Sequence, residues 1–340
     1  MRKAGAFPDP IELTRQLIRI PSPTGREHEV VAFVEAALKS LGYQVERQGV
    51  ADGRDNLYAI VEPPLVVLST HLDVVPPDLV VAEDDEWLYG RGACDAKGVC
   101  AAMIAAAVRL RDLGETRVGL LFVVGEETGG QGAIRANELG PKGRFIINGE
   151  PTDNRLSIGQ KGAVAYRLTA RGQAAHSAYP EEGRSATEAL LDALERIRAL
   201  EFPTDPLLGE TTVNVGLLAG GVAPNVIPAE ASAVLMYRTV ADHEPLERAL
   251  RDAAGPDILV DQLFRFGHVR SPALPGWDTT TVKFASDLAH LGGWGVGYQL
   301  GPGSIRVAHT MEERIRKADI REGVDRYVQL VQQLLSQVPN

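Results

Sequence analysis

The sequence predicts an α/β protein: an open mixed sheet with helices on both faces, interrupted by an inserted α+β block. Three observations predict it. Short apolar runs at Leu65–Thr70, Arg117–Val124 and Arg144–Asn148 read as buried strands. Helical patterns lie between strands, as in chains whose sheet is covered on both sides. From about Lys161 to Phe266 the pattern changes to helix plus hairpin, and strand–helix segments then return. The expected division is residues 1–160 with 267–340 as one domain and residues 161–266 as the insert.

The elements follow in order. Asp9–Ile20 carries a helical pattern behind a proline. In Ser22–Gly42 an apolar stripe of Val30, Val31, Phe33, Val34, Ala37 and Leu38 has helical spacing, with Ser22 and Thr24 as candidate caps and Gly42 as the stop. Gln44–Val50 and Asn56–Val61 read as paired strands. Val99–Leu113 is an Ala-rich helix ended by Gly114. Within the insert, Ala163–Ala170 reads as a strand with a solvated face and Ser185–Leu200 as an amphipathic helix. Thr211–Leu218 and Ala229–Val240 read as an antiparallel pair, and Glu244–Ala254 as a second helix. Thr279–His290, a glycine-rich loop at Gly301–Gly303, Ile305–His309 and a helix over Asp319–Ser336 close the chain.

Composition narrows the function. A net charge of −10 without a basic stripe argues against nucleic acid as a partner. No uncharged apolar run is long enough to span a membrane, and the opening MRKAGAFPDPIELTRQL has no apolar signal-peptide core. Cys94 and Cys100 make no disulfide framework; two thiols beside a candidate metal loop point to a reducing cytoplasm.

Each apolar strand ends directly before an acid or a histidine: His71, then Glu126 and Glu127, then Glu150. In open α/β sheets sites form at the carboxyl ends of the strands. With Asp95 and His309 these residues give a donor set of His71, Asp95, Glu127, Glu150 and His309. Two imidazoles and three carboxylates suit two divalent ions, Zn²⁺ first, with Co²⁺ or Mn²⁺ also fitting. One carboxylate bridging the ions would leave a place for a water between them. Asp73 is placed to accept the second ring N–H of His71. Glu126 is the natural general base, taking the water's proton and returning it to the leaving amine.

Each residue also has a plain structural reading: Asp95 as a helix cap, Glu126 and Glu127 as an acidic helix start, Glu150 as a turn residue, a lone histidine as a satisfied core group. Singly these readings are preferable. Jointly they require a coincidence at three strand ends. A dinucleotide loop at GRGACDAKG is disfavoured, because the third glycine is missing and Asp95 would stand where pyrophosphate needs amides.

The motifs STHLDVVP (Ser69–Pro76), YGRGACDAKG (Tyr89–Gly98), GEETGGQGA (Gly125–Ala133), NGEPT (Asn148–Thr152), RGQAAHSAYP (Arg171–Pro180), GGVAPNVIP (Gly220–Pro228) and GPGS with AHT (Gly301–Thr310) run over nearly the whole chain. In this order they resemble the M20 family of co-catalytic zinc amidohydrolases, which includes acetylornithine deacetylase, succinyl-diaminopimelate desuccinylase, LysW-type lysine deacylases, aminoacylase and glutamate carboxypeptidase. The resemblance implies that His71 and Glu150 hold one ion, Glu127 and His309 the other, and Asp95 bridges them. It makes Asp73 the partner of His71 and Glu126 the base. It implies a ferredoxin-like dimerisation or lid domain for the insert, hence a homodimer. His176 would then reach the partner subunit's site and stabilise an oxyanion; a loop histidine packed near Tyr179 is its plain reading. Asn225 and Arg238 match substrate-binding positions, with Arg238 pairing a substrate carboxylate; an exposed-strand arginine is the alternative. Gly301, Gly303 and Ser304 would offer backbone N–H groups to the same end of the substrate, or form a simple glycine turn.

The expected activity is hydrolysis of the N-acyl amide of a small amino acid, on the acetylornithine/acetyl-lysine deacetylase side, as GEPT and GPGS suggest. An exopeptidase using the same site is the near alternative, and a non-catalytic doubly wound binding module the distant one. The stretch between Pro77 and Tyr89 is shorter than usual in the family, which bears on the substrate pocket more than on the metal site.

Overall fold

A computed structural model describes residues 9–140 and 143–338. The reading of the opening segment as lacking a signal core rests partly on residues 1–8, which lie outside the described residues. The chain divides into two compact units. One comprises Met1–Ile158, Arg270–Thr281 and Ser286–Asn340; the other comprises Gly159–Val269 and Val282–Ala285.

In the first unit, α1 (Pro10–Ile18) is capped by the Asp9 carboxylate, which accepts the Ile11 N–H at 3.1 Å. Helix α2 (His28–Ser40) starts later than the sequence suggests. Ser22 and Thr24 do not cap it: Ser22 Oγ donates to Leu72 O at 2.8 Å and Thr24 Oγ1 to Asp73 Oδ2 at 2.7 Å. Their partners lie some fifty residues away in sequence and are invisible to a local pattern. Gly42, at φ +90°, ends the α2 segment in a conformation that favours glycine. Strands β1 (Gln44–Ala51) and β2 (Arg54–Ile60) form the expected antiparallel pair.

Strand β3 (Val66–His71) is buried along its whole length. Two short strands, β4 (Ala82–Glu83) and β5 (Trp87–Tyr89), precede α3 (Lys97–Asp112), of which all but three residues are buried. The alanines that make α3 a good helix also let it pack closely: Ala101, Ala102, Ala105 and Ala106 are fully enclosed. Strand β6 (Val118–Val123), α4 (Gln131–Glu138), β7 (Phe145–Asn148) and β8 (Leu156–Gln160) follow.

The second unit begins with β9 (Gly162–Arg171) and α5 (Ala186–Arg198), whose N-cap Ser185 accepts the Glu188 N–H. A small pair, β10 (Thr204–Asp205) and β11 (Gly209–Glu210), leads to β12 (Thr212–Gly220), β13 (Glu230–Thr239), α6 (His243–Ala254) and β14 (Ile258–Phe266). The sheet order β12–β13–β9–β14 is that of a ferredoxin-like βαββαβ unit. The solvated face expected along β9 exists only in its second half, at Arg167, Thr169 and Arg171; Ala163 and Ala165, on the same face, are buried. Strand β14 lacks a clear period in the sequence.

After β15 (Val269–Arg270) and β16 (Thr279–Val282), the chain completes the large sheet with β17 (Val296–Gln299). Ile305–His309, expected among the strand–helix segments, is a turn-rich loop instead. Strand β18 (Arg314–Arg316) pairs with β5, and α7 (Lys317–Leu335) packs on α3. The large sheet runs β1–β2–β6–β3–β7–β17–β8–β15, with β16 also on β8. It is mixed: β6, β3, β7 and β17 are neighbours in parallel, while β2 joins β6 antiparallel. Among the described residues no helix is long and apolar enough to cross a membrane.

Candidate metal centre

Four adjacent parallel strands place their carboxyl ends along one edge, and the chemistry sits there. His71 is the last residue of β3. Glu126 and Glu127 open a 3₁₀ turn just after β6. Glu150 follows β7 by two residues, and the loop after β17 carries Gly301 to His309. Asp95 comes from the loop that enters α3, through a cis Asp95–Ala96 peptide. It does not cap α3; Ala96 stands at that position.

Asp95 is the centre of the cluster. Its Oδ1 is 3.1 Å from His71 Nε2 and its Oδ2 is 3.3 Å from His309 Nε2. His309 Nε2 is also 3.1 Å from Glu127 Oε1. Donor atoms of His71, Asp95 and Glu127 lie within 4.8 Å of one another, so a single ion could be held among them. Glu150 is buried beside this group, with Asn148 Nδ2 donating to its Oε1 at 3.4 Å. His71 and Asp95 are closed off from solvent, whereas the His309 side chain is half exposed and its backbone takes φ +63°.

Asp73 does more than the sequence suggests. His71 Nδ1 lies 2.9 Å from the Asp73 backbone carbonyl and 3.6 Å from its Oδ1, so the nearer acceptor is the main chain. The carboxylate instead holds the acidic turn: Oδ1 accepts the N–H groups of Gly125 at 2.9 Å and Glu126 at 3.1 Å, and Oδ2 accepts that of Glu127 at 3.2 Å. The turn is not the first turn of α4, which begins at Gln131. A helix-dipole role for the two glutamates therefore does not apply.

The electrostatics describe a pocket short of positive charge. Six carboxylates, Asp73, Asp95, Glu126, Glu127, Glu150 and Asp287, share it with the imidazoles of His71 and His309. Burial pushes Glu126 and Glu150 well above the usual carboxylate range, and their like-charged neighbours add to the push. Burial also raises Glu127, with the His309 contact opposing it. Asp95 is held low against its own burial by His309 and His71. Hydrogen bonds to Asp95 and Glu127 push His309 up to about 10. Burial works against a charged His71, yet the contacts with Asp73 and Asp95 hold it well above its ordinary value. The carboxylates around them thus favour positive charge at both imidazoles. Three carboxylates that repel one another, beside two imidazole nitrogens, fit borderline divalent ions.

Four residues around the site were not read as part of it in the sequence. Glu313 accepts the Asp95 N–H at 3.3 Å and, through its other oxygen, Arg91 Nη1 at 2.6 Å. Arg91 and Glu313 are both buried and 222 positions apart. Thr24 completes the shell of Asp73. Asp287 is 1% exposed, and neither carboxylate oxygen has a hydrogen-bond partner among the described residues. Only the acid content of these segments could have flagged Glu313 and Asp287.

The remaining expected site residues divide. Gly301 and Gly303 are buried close-approach positions: a Cβ on Gly301 would lie 2.5 Å from Glu150 O, and one on Gly303, at φ +88°, 2.8 Å from Cys94 Cβ. The Gly301 N–H is donated to Thr152 Oγ1 at 3.0 Å. Ser304 bridges Thr152 through the backbone, and its carbonyl faces the Cys94 thiol at 3.7 Å. His176, Asn225 and Arg238 belong to the second unit. His176 is exposed, stacks edge-on to Tyr179 at 6.1 Å between ring centroids, and bridges Val226 through the backbone. Asn225 O accepts the Ser177 N–H at 3.0 Å. Arg238 sits on β13, opposite Thr212 and Ala163.

An edge of parallel strands bearing acids and imidazoles is the kind of place where metal-dependent hydrolases build their sites. Residues 158–255 match the family model described as a peptidase dimerisation domain, that of the M20 group. A peptidase M20 domain-containing protein of Schizosaccharomyces pombe is 36% identical over 334 residues, covering 94% of this chain and 84% of the relative. A probable carboxypeptidase of Aspergillus terreus is 36% identical, covering the same 94% of this chain and 84% of its own. In fold, an M20 family metallo-carboxypeptidase from Sulfolobus solfataricus superposes with a TM-score of 0.77 at 17% identity, covering 96% of this chain and 99% of that one. The chain belongs to the M20 peptidase family and is a hydrolase of amide bonds.

Proposed function

We propose that this protein is a metal-dependent exopeptidase that releases a single residue from a small peptide bearing a free carboxylate. The single observation that carries the metal-dependent part is the contact chain His71–Asp95–His309–Glu127, with buried Glu150 beside it. The peptide preference draws on relatives described as probable carboxypeptidases. A second reading, cleavage of an N-acyl amino acid, is favoured by Glu150 within NGEPT and by the GPGS loop, which resemble the deacylase side of the family.

In this reading His71, Asp95, Glu127, Glu150 and His309 would hold two divalent ions, His71 and Glu150 one and Glu127 and His309 the other, with Asp95 available to both and zinc as the first candidate. Bound divalent ions would supply Lewis acidity and lower the pKa of water. The chain does the rest. Glu126, held on its turn by Asp73 and raised by burial, takes a proton from water and delivers it to the departing amine. Arg238 and Asn225 orient the substrate's carboxylate end, and His176 of the partner subunit stabilises the developing oxyanion. The second unit pairs two copies into a homodimer.

A panel of dipeptides, C-terminally extended tripeptides, acetyl-ornithine and acetyl-lysine, assayed before and after chelation, tests the reading. We expect peptide cleavage that chelator abolishes and Zn²⁺ or Co²⁺ restores. Exclusive turnover of acyl-amino acids would select the second reading. Undiminished activity in metal-free protein would remove both.

A further inference from the structure

A closed ring of contacts surrounds the turn that carries Glu126, and two of its members have no assigned task. Strand β2 supplies one of them. Arg54 Nε lies 3.2 and 3.0 Å from the two oxygens of Glu27, and Nη2 lies 2.6 Å from one. Glu27 is fully buried and the Arg54 side chain only 17% exposed. The guanidinium lies directly against Gly125: a Cβ built on that glycine would stand 2.7 Å from Arg54 Nη2. Gly125 is at φ +80°, and its N–H is fixed by Asp73 Oδ1. Asp73 Oδ2 takes the Thr24 hydroxyl, and Thr24 lies three residues before Glu27. The ring therefore runs Glu27, Arg54, Gly125, Asp73, Thr24 and back along the main chain. Two positions along β2, Asn56 closes the far side of the turn, accepting the Val124 N–H at 3.2 Å and donating to Gly132 O at 2.8 Å.

A buried ion pair is worth little more than an apolar pair of the same volume, because desolvation consumes most of the attraction. Its value lies in where it holds its atoms. The Glu27 fork presses a rigid, planar guanidinium against the one residue between Val124 and Glu126, while Asp73 holds that residue from its amide side. We propose that Arg54 and Glu27 are positioning residues for the hydrolytic reaction: they brace the Gly125–Glu127 turn from below and keep Glu126 at proton-transfer distance. This rests on the reading of Glu126 as the general base. A displacement of about 1 Å at such a group costs on the order of a hundredfold in rate.

The test uses the full-length, zinc-loaded protein. Arg54→Ala should lower kcat roughly tenfold to a hundredfold, as loss of a supporting partner does. KM and bound metal per chain should stay close to wild type, the thermal midpoint should fall because Glu27 is left buried without its partner, and low, non-denaturing guanidinium should restore part of kcat. Thr24→Val, which cuts the ring on its other side without disturbing the ion pair, should lower kcat in the same direction. Wild-type kcat in both variants overturns the proposal. So does a loss of kcat matched by loss of metal, or one that guanidinium leaves untouched. If Arg54→Ala does not fold, Thr24→Val decides alone. Glu126→Gln is run in parallel: an inactive Glu126→Gln beside fully active ring variants removes only the ring, while an active Glu126→Gln removes the base assignment and this proposal together.

Discussion

Asp287 lies in the first unit with both carboxylate oxygens unpaired among the described residues, and burial pushes its carboxyl up to about 7 from 3.8. The native state therefore holds this proton more tightly than the unfolded chain does. The proton's contribution to stability is complete below the unfolded value and is lost as pH rises toward about 7. Asp287→Asn removes that loss, which amounts to at most roughly 4 kcal/mol. In chelator-treated protein the variant should melt above wild type at about pH 8 and near it at about pH 4. Equal shifts in melting temperature at both pH values would refute this. His309 moves stability the same way: raised to about 10 by Asp95 and Glu127, it stabilises the metal-free site below 6.5 and ceases to do so above about 10. At this scale the sequence is informative where chemistry follows an apolar run, as at His71, Glu126, Glu127 and Glu150. It is silent at Asp287, which lies within the Thr279–His290 segment but follows no apolar run and no motif. Glu313 and Arg91 are equally hidden, because their pairing spans 222 positions.

Among the elements, α3 shows how packing and site depend on one another. Gly98 in its first turn lies so close to the preceding loop that a Cβ would stand 2.3 Å from Ala93 O and 3.0 Å from Ile315 Cδ1. That loop delivers Asp95. Gly98→Ala should therefore destabilise the protein by about 1–3 kcal/mol through overpacking. It should also lower the metal bound per chain, as read by elemental analysis of folded protein. Full metal content with unchanged stability would count against the coupling. Elements with a strong period were legible to within a few residues: α3, β3, β6, β7 and α5 all lie where apolar spacing puts them. The failures have physical causes. Ser22 and Thr24 have the chemistry of helix caps, yet tertiary partners at Leu72 and Asp73 outcompete the helix. Strand β17 is short and flanked by glycines, so its burial comes from neighbours rather than from its own sequence.

For the molecule as a whole, the outer edge of the second unit's sheet is the notable surface. Strand β12 is an edge strand, with Leu217 67% and Leu218 58% exposed, and Val222 just beyond it is 88% exposed. An open, apolar edge is a template for another chain. If a second copy covers it, Leu217→Asp should shift sedimentation from dimer to monomer at micromolar concentration, while the metal content of the monomer stays intact. A variant that remains dimeric would place the interface elsewhere. The family and its amide hydrolysis were legible from seven ordered motifs, because their order and spacing are much more specific than any one of them. The choice between an acyl-amino acid and a peptide was not, since both present the same amide to the same donor set.

The position of β17 between β7 and β8 has a consequence for biosynthesis. A ribosome makes β3, β6 and β7 early, then more than a hundred residues of the second unit, and only afterwards the strand that fills the sheet and the loop bearing His309. Until then the growing chain exposes two unpaired strand edges and an acid-rich pocket lacking one imidazole. Such edges are prone to wrong partners during synthesis. The second unit, whose four-stranded sheet is built entirely from its own strands, can fold meanwhile as an independent body. If His309 is a metal ligand, a nascent chain stalled before residue 309 should hold ions far more weakly than the released protein.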